Sequence, residues 1–354
     1  MQANASWNSP VLLLEGFSLP PALTLGVWVC LLICYLFIIS ANTVVICAVL
    51  SDRRLQTPMY LLFCNLAAVD MLANSNVLPR ILVDTLRPAS QRFISYPECV
   101  FQAFTAHLLA TAVRMILMVM AFDRFVAVCL PLRYAAVMTP RTLVKLLMLA
   151  WTVALILVSV LLGLTIRLSR CRVLVVGLYC SNAALFSLSC ESVVVNNVYG
   201  LTFTAILYIS SAGSMVLTYG SIAAVSVHRG RKVLNRKALR TCTSHLLVYG
   251  LSLFSGLTSI MFTRFPELRQ ERFLASVLYY VIPGCLNPLI YSLQSNELRN
   301  YVSAAFQNNI FLGDGRKQHG KDLDSEILSS SATHELKHFT IAPEAALIGL
   351  SFVL

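Results

Sequence analysis

Seven long apolar stretches, separated by short polar segments, run through most of the chain. They are centred near Cys34, Ala68, Met115, Leu155, Leu207, Leu251 and Val281. Each contains roughly 20 or more mostly apolar residues, enough for a helix to cross about 30 Å of hydrocarbon. None shows the alternation of a barrel strand, and a helix satisfies its backbone amides within its own segment. The pattern predicts an all-α membrane protein, a bundle of seven transmembrane helices.

The composition excludes a soluble protein and adds a strong positive charge. Of 354 residues, 57% are hydrophobic and 12% are charged, which is too apolar for a soluble domain of this length. The formal net charge is +11 at pH 7. Basic loops that face anionic lipid and a partner protein account for such a charge. No basic tract interleaved with aromatic residues indicates RNA or DNA, so we expect membrane lipids as partners and no nucleic acid.

The N-terminal segment carries no Lys or Arg, which argues against a cleaved signal peptide. We expect the first helix to anchor a multi-pass protein of the plasma membrane, with its N-terminus outside, although the distribution of Lys and Arg supports this only modestly. Asn4 fits the N-glycosylation pattern. The predicted regions are an extracellular N-terminus (1–22), a seven-helix domain (23–295), an amphipathic membrane-surface helix (296–307) and a disordered cytoplasmic tail (308–354).

Two places within the apolar stretches carry ionisable side chains. Asp123 and Arg124 stand side by side near the end of the third stretch, and Asp70 lies in the middle of the second. Ionisable groups at membrane depth are costly unless they are paired or solvated, so both places are candidate functional sites. We interpret Asp123 and Arg124 as a switch; a solvated ion pair at a helix end is the alternative. A lone carboxylate such as Asp70 would become protonated, or would bind a partner or a cation, because desolvation disfavours its charge.

The seventh stretch contains a proline break. Pro288 removes one backbone hydrogen bond from the helix, and a neighbouring polar group such as Asn287 can satisfy the freed carbonyl. We predict a hinge at this point, with Tyr291 as its lever.

Five sequence motifs resemble those of one family. They are TPMY (57–60), NLAAVD (65–70), MAFDRFVAVC (120–129), KALRTCTSHL (237–246) and PGCLNPLIYSL (283–293). Their counterparts in olfactory receptors read roughly PMYFF, NLSxxD, MAYDRYVAIC, KAFSTCxSHL and PPxxNPIIYSL. Over about residues 20–300 the chain therefore resembles the olfactory receptors, a branch of the rhodopsin-like G-protein-coupled receptors.

The resemblance implies a receptor with no enzymatic activity and no cofactor. Such a receptor binds a small odorant within the helix bundle and activates a stimulatory heterotrimeric G protein, which raises cyclic AMP. By the same resemblance, the activation switch consists of Asp123, Arg124, Tyr219, Asn287, Pro288 and Tyr291. The resemblance also joins Asn42, Asp70 and Asn287 in a sodium-linked polar network.

One departure from the family pattern affects this network. Glu is usual in the family at the position of Val113, and here the next residue is a cation, Arg114. We expect Arg114 to join the polar network, either by pairing with Asp70 or by reaching a water-filled cavity. Its presence weakens the expectation of sodium binding.

Four cysteines belong to the predicted outer loops: Cys99, Cys171, Cys180 and Cys190. Four thiols in an oxidising compartment allow three pairings, among which the residues alone do not choose. The resemblance implies the disulfides Cys99–Cys180 and Cys171–Cys190.

We choose candidate ligand-binding residues by how deep each one lies in the predicted bundle, and not by the chemistry of its side chain. They are His107, Thr111, Phe203, Leu207, Gly256, Ile260 and Tyr280. No acid is present to bind an amine, so a small neutral or weakly polar odorant is favoured. His107 lacks neighbouring metal ligands, so we predict no metal and either a pocket role or a bond to a neighbouring helix. Leu253-Phe254-Ser255 replaces the family's Phe-Tyr-Gly, which predicts a different pocket floor.

Other classes of protein fit the sequence less well. The nearest alternative is a non-olfactory small-molecule receptor of the same superfamily, and KALRTCTSHL argues against it. A membrane transporter would show an internal repeat and paired broken helices, whereas this chain has seven stretches and one strong Asn-Pro break. An intramembrane enzyme would need a second acid at the depth of Asp70, or a metal triad.

Overall fold

The computed structural model describes residues 8–17, 19–228, 236–263, 265, 267–294 and 299. Within them the helices are α1 (Pro21–Ser51), α2 (Pro58–Leu86), α3 (Tyr96–Cys129), α4 (Tyr134–Val137), α5 (Pro140–Ile166), α6 (Asn182–Phe186), α7 (Val194–His228), α8 (Arg236–Thr263) and α9 (Arg269–Gln294). Six long helices are individually apolar enough to cross a membrane, and α3 makes a seventh together with the bent segment after it. The predicted seven-helix bundle is confirmed.

Four of the seven long helices begin where the sequence places proline. α1, α2, α3 and α5 each carry Pro in the first turn, where the fixed φ suits a helix and the missing N–H costs nothing. Ser95 caps α3: its hydroxyl accepts the N–H of Glu98, whose carboxylate accepts the N–H of Ser95. Thr139 caps α5 by accepting the N–H of Thr142. These local signals set the helix starts.

The bundle is tightly packed inside and apolar outside. Its largest core cluster includes Leu66, Ile116 and Val248, which are fully buried. Large apolar side chains remain exposed on the outer face, among them Leu217 (74%) and Phe254 (71%). Exposed apolar surface on this scale is typical of a membrane-embedded protein. Because Phe254 points outward, the stretch that replaces the family's Phe-Tyr-Gly supplies no aromatic ring to a pocket floor.

A three-stranded sheet, which the hydropathy pattern does not predict, covers one end of the bundle. Its strands are β1 (Val11–Leu14), β2 (Phe93–Ser95) and β3 (Leu174–Val175), in the order β2-β1-β3. β1 is antiparallel to β2 and parallel to β3. Glu15 after β1 pairs with Arg269 at 2.7 Å and Arg272 at 3.6 Å, which fixes the N-terminal segment onto α9. We call this sheet and the loop between α5 and α7 the outer cap.

Two disulfides hold the outer cap. Cys99 in the first turn of α3 is bonded to Cys180, and Cys171 is bonded to Cys190 within the loop. These are the pairings that the resemblance implied. The backbone N–H of Cys180 also donates to Gln102 Oε1 at 2.9 Å, so the loop is attached to α3 at two neighbouring points.

Three sequence predictions lie outside the described residues. They concern glycosylation of Asn4, the surface helix over residues 296–307 apart from Arg299, and the tail over residues 308–354. All three stay predictions.

Candidate functional site

Two adjoining cavities lie between the outer cap and the middle of the bundle. The outer cavity, of about 450 Å³, is bounded by the loop around residues 176–187 and by α7, α8 and α9. The inner cavity, of about 160 Å³, lies deeper, between α3, α7, α8 and α9. His107, Phe203 and Ile260 line both cavities, so the two are direct neighbours.

The inner cavity brings together all the residues that depth predicts for ligand binding. Its lining includes His107, Thr111, Phe203, Leu207, Gly256, Ile260 and Tyr280. It also includes residues that were not predicted to bind the ligand: Arg114, Ser181, Thr204, Tyr208 and Ser259. Cavities between the helices of a bundle are common ligand sites. Binding of a ligand by these residues stays a prediction.

His107 joins α3 to the outer cap above the inner cavity. Its Nε2 accepts the backbone N–H of Asn182 at 3.1 Å, which places the proton of a neutral ring on Nδ1. The histidine is therefore satisfied by the short loop helix α6 and faces the cavity at the same time. Tyr179 of the cap packs edge-on against Tyr280, with ring centroids 5.4 Å apart. Burial raises the pKa of the Tyr179 phenol, which keeps this side chain neutral.

Arg114 lies at the deep end of the inner cavity and is only 3% exposed. Its Nη2 donates to the Ser252 carbonyl at 2.5 Å and to the Tyr208 hydroxyl at 3.1 Å. Its Cζ lies 4.5 Å from the centroid of the Tyr208 ring, within cation–π range. Gly256 makes room for this arrangement, because a Cβ there would collide with the Tyr208 hydroxyl and come within 2.8 Å of Nη2.

The predicted pairing of Arg114 with Asp70 is wrong, although both residues line a small cavity of about 40 Å³. Asp70 Oδ2 accepts instead from Asn287 Nδ2 at 2.7 Å, because that amide faces it from α9. Asn74 donates to the backbone carbonyls of Asp70 and Tyr280, at 2.8 and 3.3 Å. The polar network therefore joins α2 to α9, while Arg114 bonds to α7 and α8. Asn74 could have been found from its i+4 spacing to Asp70.

Asn42 satisfies the carbonyl that Pro288 leaves free in α9. Pro288 has no N–H for the Gly284 carbonyl, and Asn42 Nδ2 in α1 donates to that oxygen at 3.0 Å. The sequence-based choice of Asn287 for this role is wrong, because the Asn287 amide is directed to Asp70. Asn42 thus supports the hinge rather than the carboxylate.

Replacing Gly284 with Ala is expected to destabilise the bundle by about 1–3 kcal/mol, because overpacking forces neighbouring helices to shift. An added Cβ would lie 2.8 Å from Asn74 Nδ2 and 3.2 Å from Ile38. Gly163→Ala in α5 is the matched control, since nothing lies within 4 Å of its added Cβ. Thermal unfolding of the detergent-purified variants measures the difference. Equal melting temperatures would contradict the close packing of α9 against α1 and α2.

Asp123 and Arg124 form a buried ion pair at the opposite end of the bundle. Arg124 Nε donates to Asp123 Oδ2 at 3.0 Å, and its Nη2 contacts the same oxygen. The Tyr134 hydroxyl in α4 donates to Asp123 Oδ1 at 2.9 Å. Both members of the pair are buried, so the alternative of a solvated pair does not describe this arrangement.

His245 connects three helices close to this pair. Its Nε2 donates to the Leu117 carbonyl of α3 at 3.1 Å, because a carbonyl can only accept. The Tyr219 hydroxyl of α7 donates to the Cys242 carbonyl at 2.8 Å and also lies 3.1 Å from His245 Nδ1, which is the acceptor nitrogen of this tautomer. Tyr219 has one proton for two acceptors on α8. His245 belongs to the KALRTCTSHL motif, but the motif alone does not reveal its partners.

Tyr291, the predicted lever, lies in the core. Its ring stacks on Phe63 of α2 with centroids 4.0 Å apart, and its hydroxyl has no hydrogen-bond partner among the described residues. The predicted switch residues thus occupy three separate clusters, around Arg124, around Tyr219 and on α9. In the described part of the chain, no group of three or more His, Cys, Asp or Glu side chains is suited to hold a metal ion.

The chain is similar to known receptors along most of its length. The family model described as olfactory receptor matches residues 30–309. The chain is 31% identical over 315 residues to olfactory receptor 1D2 of Pongo pygmaeus, covering 87% of this chain and 97% of that protein. It is 32% identical over 310 residues to olfactory receptor-like protein OLF4 of Canis lupus familiaris, covering 87% and 99%. Squid rhodopsin shares the fold, with a TM-score of 0.66 and 17% identity over 89% of this chain and 95% of that chain.

Proposed function

Because this chain belongs to the olfactory receptor family of rhodopsin-like G-protein-coupled receptors, we propose that it binds a small odorant in the inner cavity and activates a stimulatory heterotrimeric G protein. Activation would raise cyclic AMP. As a member of this family, the chain is a multi-pass membrane receptor and not an enzyme. The observation that carries the proposal is the inner cavity of about 160 Å³, which long helices line beneath the outer cap.

Ligand binding can activate the receptor only by favouring one arrangement of the bundle over another. The inner cavity contacts α3, α7, α8 and α9, and three of these helices also carry predicted switch residues: Arg124 on α3, Tyr219 on α7 and Asn287 on α9. The Tyr219 hydroxyl of α7 has two possible acceptors on α8, the Cys242 carbonyl and His245 Nδ1. A contact with two alternative partners supports a transition between two discrete states.

We infer that the outer cap faces the cell exterior and that the receptor resides in the plasma membrane. Two disulfides in the cap support this orientation, because disulfides persist in oxidising compartments. The sequence from 229 to 240 contains six Lys and Arg residues, as the positive-inside rule expects of a cytoplasmic connection. The glycan on Asn4 would then be extracellular and the C-terminal tail cytoplasmic. An N-terminal epitope that antibodies reach only after permeabilisation would reverse this orientation.

Filling the inner cavity is expected to weaken the odorant response. Ser259 lines both cavities, so Phe at this position would occupy ligand space. Met261 is 59% exposed on the outer face, so Met261→Phe places the same ring toward lipid. In cells that contain a stimulatory G protein, an odorant panel should raise cyclic AMP through the wild type and Met261→Phe. Ser259→Phe should need an odorant concentration at least about 10-fold higher.

Surface staining normalises these responses for the amount of receptor. The proposal is wrong if a broad panel fails to raise cyclic AMP through wild-type receptor at the surface. It is equally wrong if Ser259→Phe responds like Met261→Phe at equal surface amounts.

A further inference from the structure

The guanidinium of Arg114 has an unused donor inside the receptor. Its Nη2 is bonded to Tyr208 and Ser252. Its Nη1 is buried and has no hydrogen-bond partner among the described residues. A buried donor left unpaired destabilises the protein, and a charged one does so more strongly than a neutral one. The Arg114 side chain lines the inner cavity, so a small molecule that enters this cavity meets a guanidinium with an unsatisfied donor.

The side chains around Arg114 do not supply its counter-charge. None of the ion pairs among the described residues includes Arg114. Asp70 borders the small cavity on the α2 side, but its Oδ2 accepts from Asn287. The other titratable groups that line the inner cavity are His107 and the tyrosines 179, 208, 279 and 280. Histidine and tyrosine are not anions near neutral pH.

We propose that the ligand of the inner cavity carries a carboxylate and that Arg114 is the residue that binds it. This inference rests on the proposed odorant-binding function and assigns it a ligand class. A guanidinium is planar and matches a carboxylate through paired N–H···O bonds. Phe203, Leu207 and Ile260 line the same cavity and offer apolar contacts to a short carbon chain. The ligand is therefore a small carboxylic acid in its ionised form, rather than the neutral odorant that the sequence favoured.

Two arginines line the cavities and are candidates to bind this anion, Arg114 in the inner cavity and Arg272 in the outer one. Gly256 makes room for the contact between Arg114 and Tyr208, since a Cβ there would come within 2.8 Å of Nη2. Arg272 lines the outer cavity and is paired with Glu15 at 3.6 Å, so its charge already has a partner. Arg114 is thus the better anion site of the two. An inorganic anion such as chloride has the same charge, and the test separates it from a carboxylate.

The first experiment compares matched compounds in cells that express the wild-type receptor. Short straight-chain carboxylic acids are tested beside the alcohols and methyl esters of the same chain length, with cyclic AMP as the readout. The acids should act at concentrations about 100-fold lower, because charge-assisted hydrogen bonds exceed neutral ones. Arg114→Gln should abolish this preference and Arg114→Lys should keep part of it. Arg272→Gln is the matched control and should leave the preference unchanged.

The second experiment measures binding without signalling. Thermal unfolding of the purified wild-type receptor is followed with an acid, its methyl ester, or sodium chloride alone. The acid should raise the melting temperature and the ester should not. The proposal would be overturned if acid and ester stabilised the receptor equally. It would also be overturned if chloride alone raised the melting temperature and the acid raised it no further, or if the preference for acids persisted in Arg114→Gln. If neutral odorants raise cyclic AMP and acids do not, the proposed odorant-receptor function is supported and the assignment of a carboxylic acid as the ligand is wrong.

Discussion

Replacing both Cys99 and Cys180 with Ser is expected to abolish nearly all delivery of the receptor to the cell surface. Their disulfide closes a segment with a sequence separation of 81, whereas Cys171–Cys190 closes one of 19. In the chain-entropy model the longer loop is worth about 4–5 kcal/mol and the shorter about 3 kcal/mol. The first disulfide also holds the loop that carries Tyr179 and Ser181, which line both cavities. Stability and the pocket should therefore be lost together.

Surface staining of an N-terminal epitope measures this effect. The double variant Cys171→Ser with Cys190→Ser should retain more surface receptor than the Cys99 and Cys180 double variant. Replacing Cys30 and Cys47, free cysteines on the exposed face of α1, should leave delivery unchanged. Equal losses from the two disulfide variants would show that loop length does not determine their contributions.

Arg124→Ala is expected to reduce odorant-dependent cyclic AMP to the level of cells without receptor. The guanidinium is held by Asp123 at the end of α3 opposite the outer cap, and both residues belong to the predicted activation switch. Its removal leaves a buried carboxylate whose remaining hydrogen-bond partner, within the part of the chain that the structure describes, is the Tyr134 hydroxyl. Breaking a buried ion pair by removing one member typically costs about 3–5 kcal/mol. The variant should therefore also reach the cell surface in smaller amounts. This loss of surface receptor has to be distinguished from a loss of coupling to the G protein.

The double variant Asp123→Asn with Arg124→Ala makes this separation. It removes the unpaired charge, so it should recover surface delivery relative to Arg124→Ala without recovering cyclic AMP. A double variant that signals like the wild type at equal surface amounts would exclude Arg124 from the switch. An odorant response that survives Arg124→Ala alone, normalised to surface receptor, would lead to the same conclusion.

Much of the fold and the position of the pocket could be predicted from the sequence. Apolar runs long enough to span a bilayer, with proline and Ser95 at their starts, determine where the helices lie. Depth along those helices then brought His107, Gly256 and Tyr280 to one cavity. The outer sheet could not be predicted, because two- to four-residue strands far apart in the chain leave no periodic signal.

The sequence by itself determined that this protein is a membrane bundle, which family it resembles, and which polar residues lie at membrane depth. These properties follow from local composition and from motifs. Only the tertiary structure decided which partner each buried polar group has: Asn287 for Asp70, Asn42 for the Gly284 carbonyl, and Tyr208 with Ser252 for Arg114. A polar group surrounded by lipid must bond to whichever helix faces it, and the rotation of one helix against another is set by packing across the whole bundle.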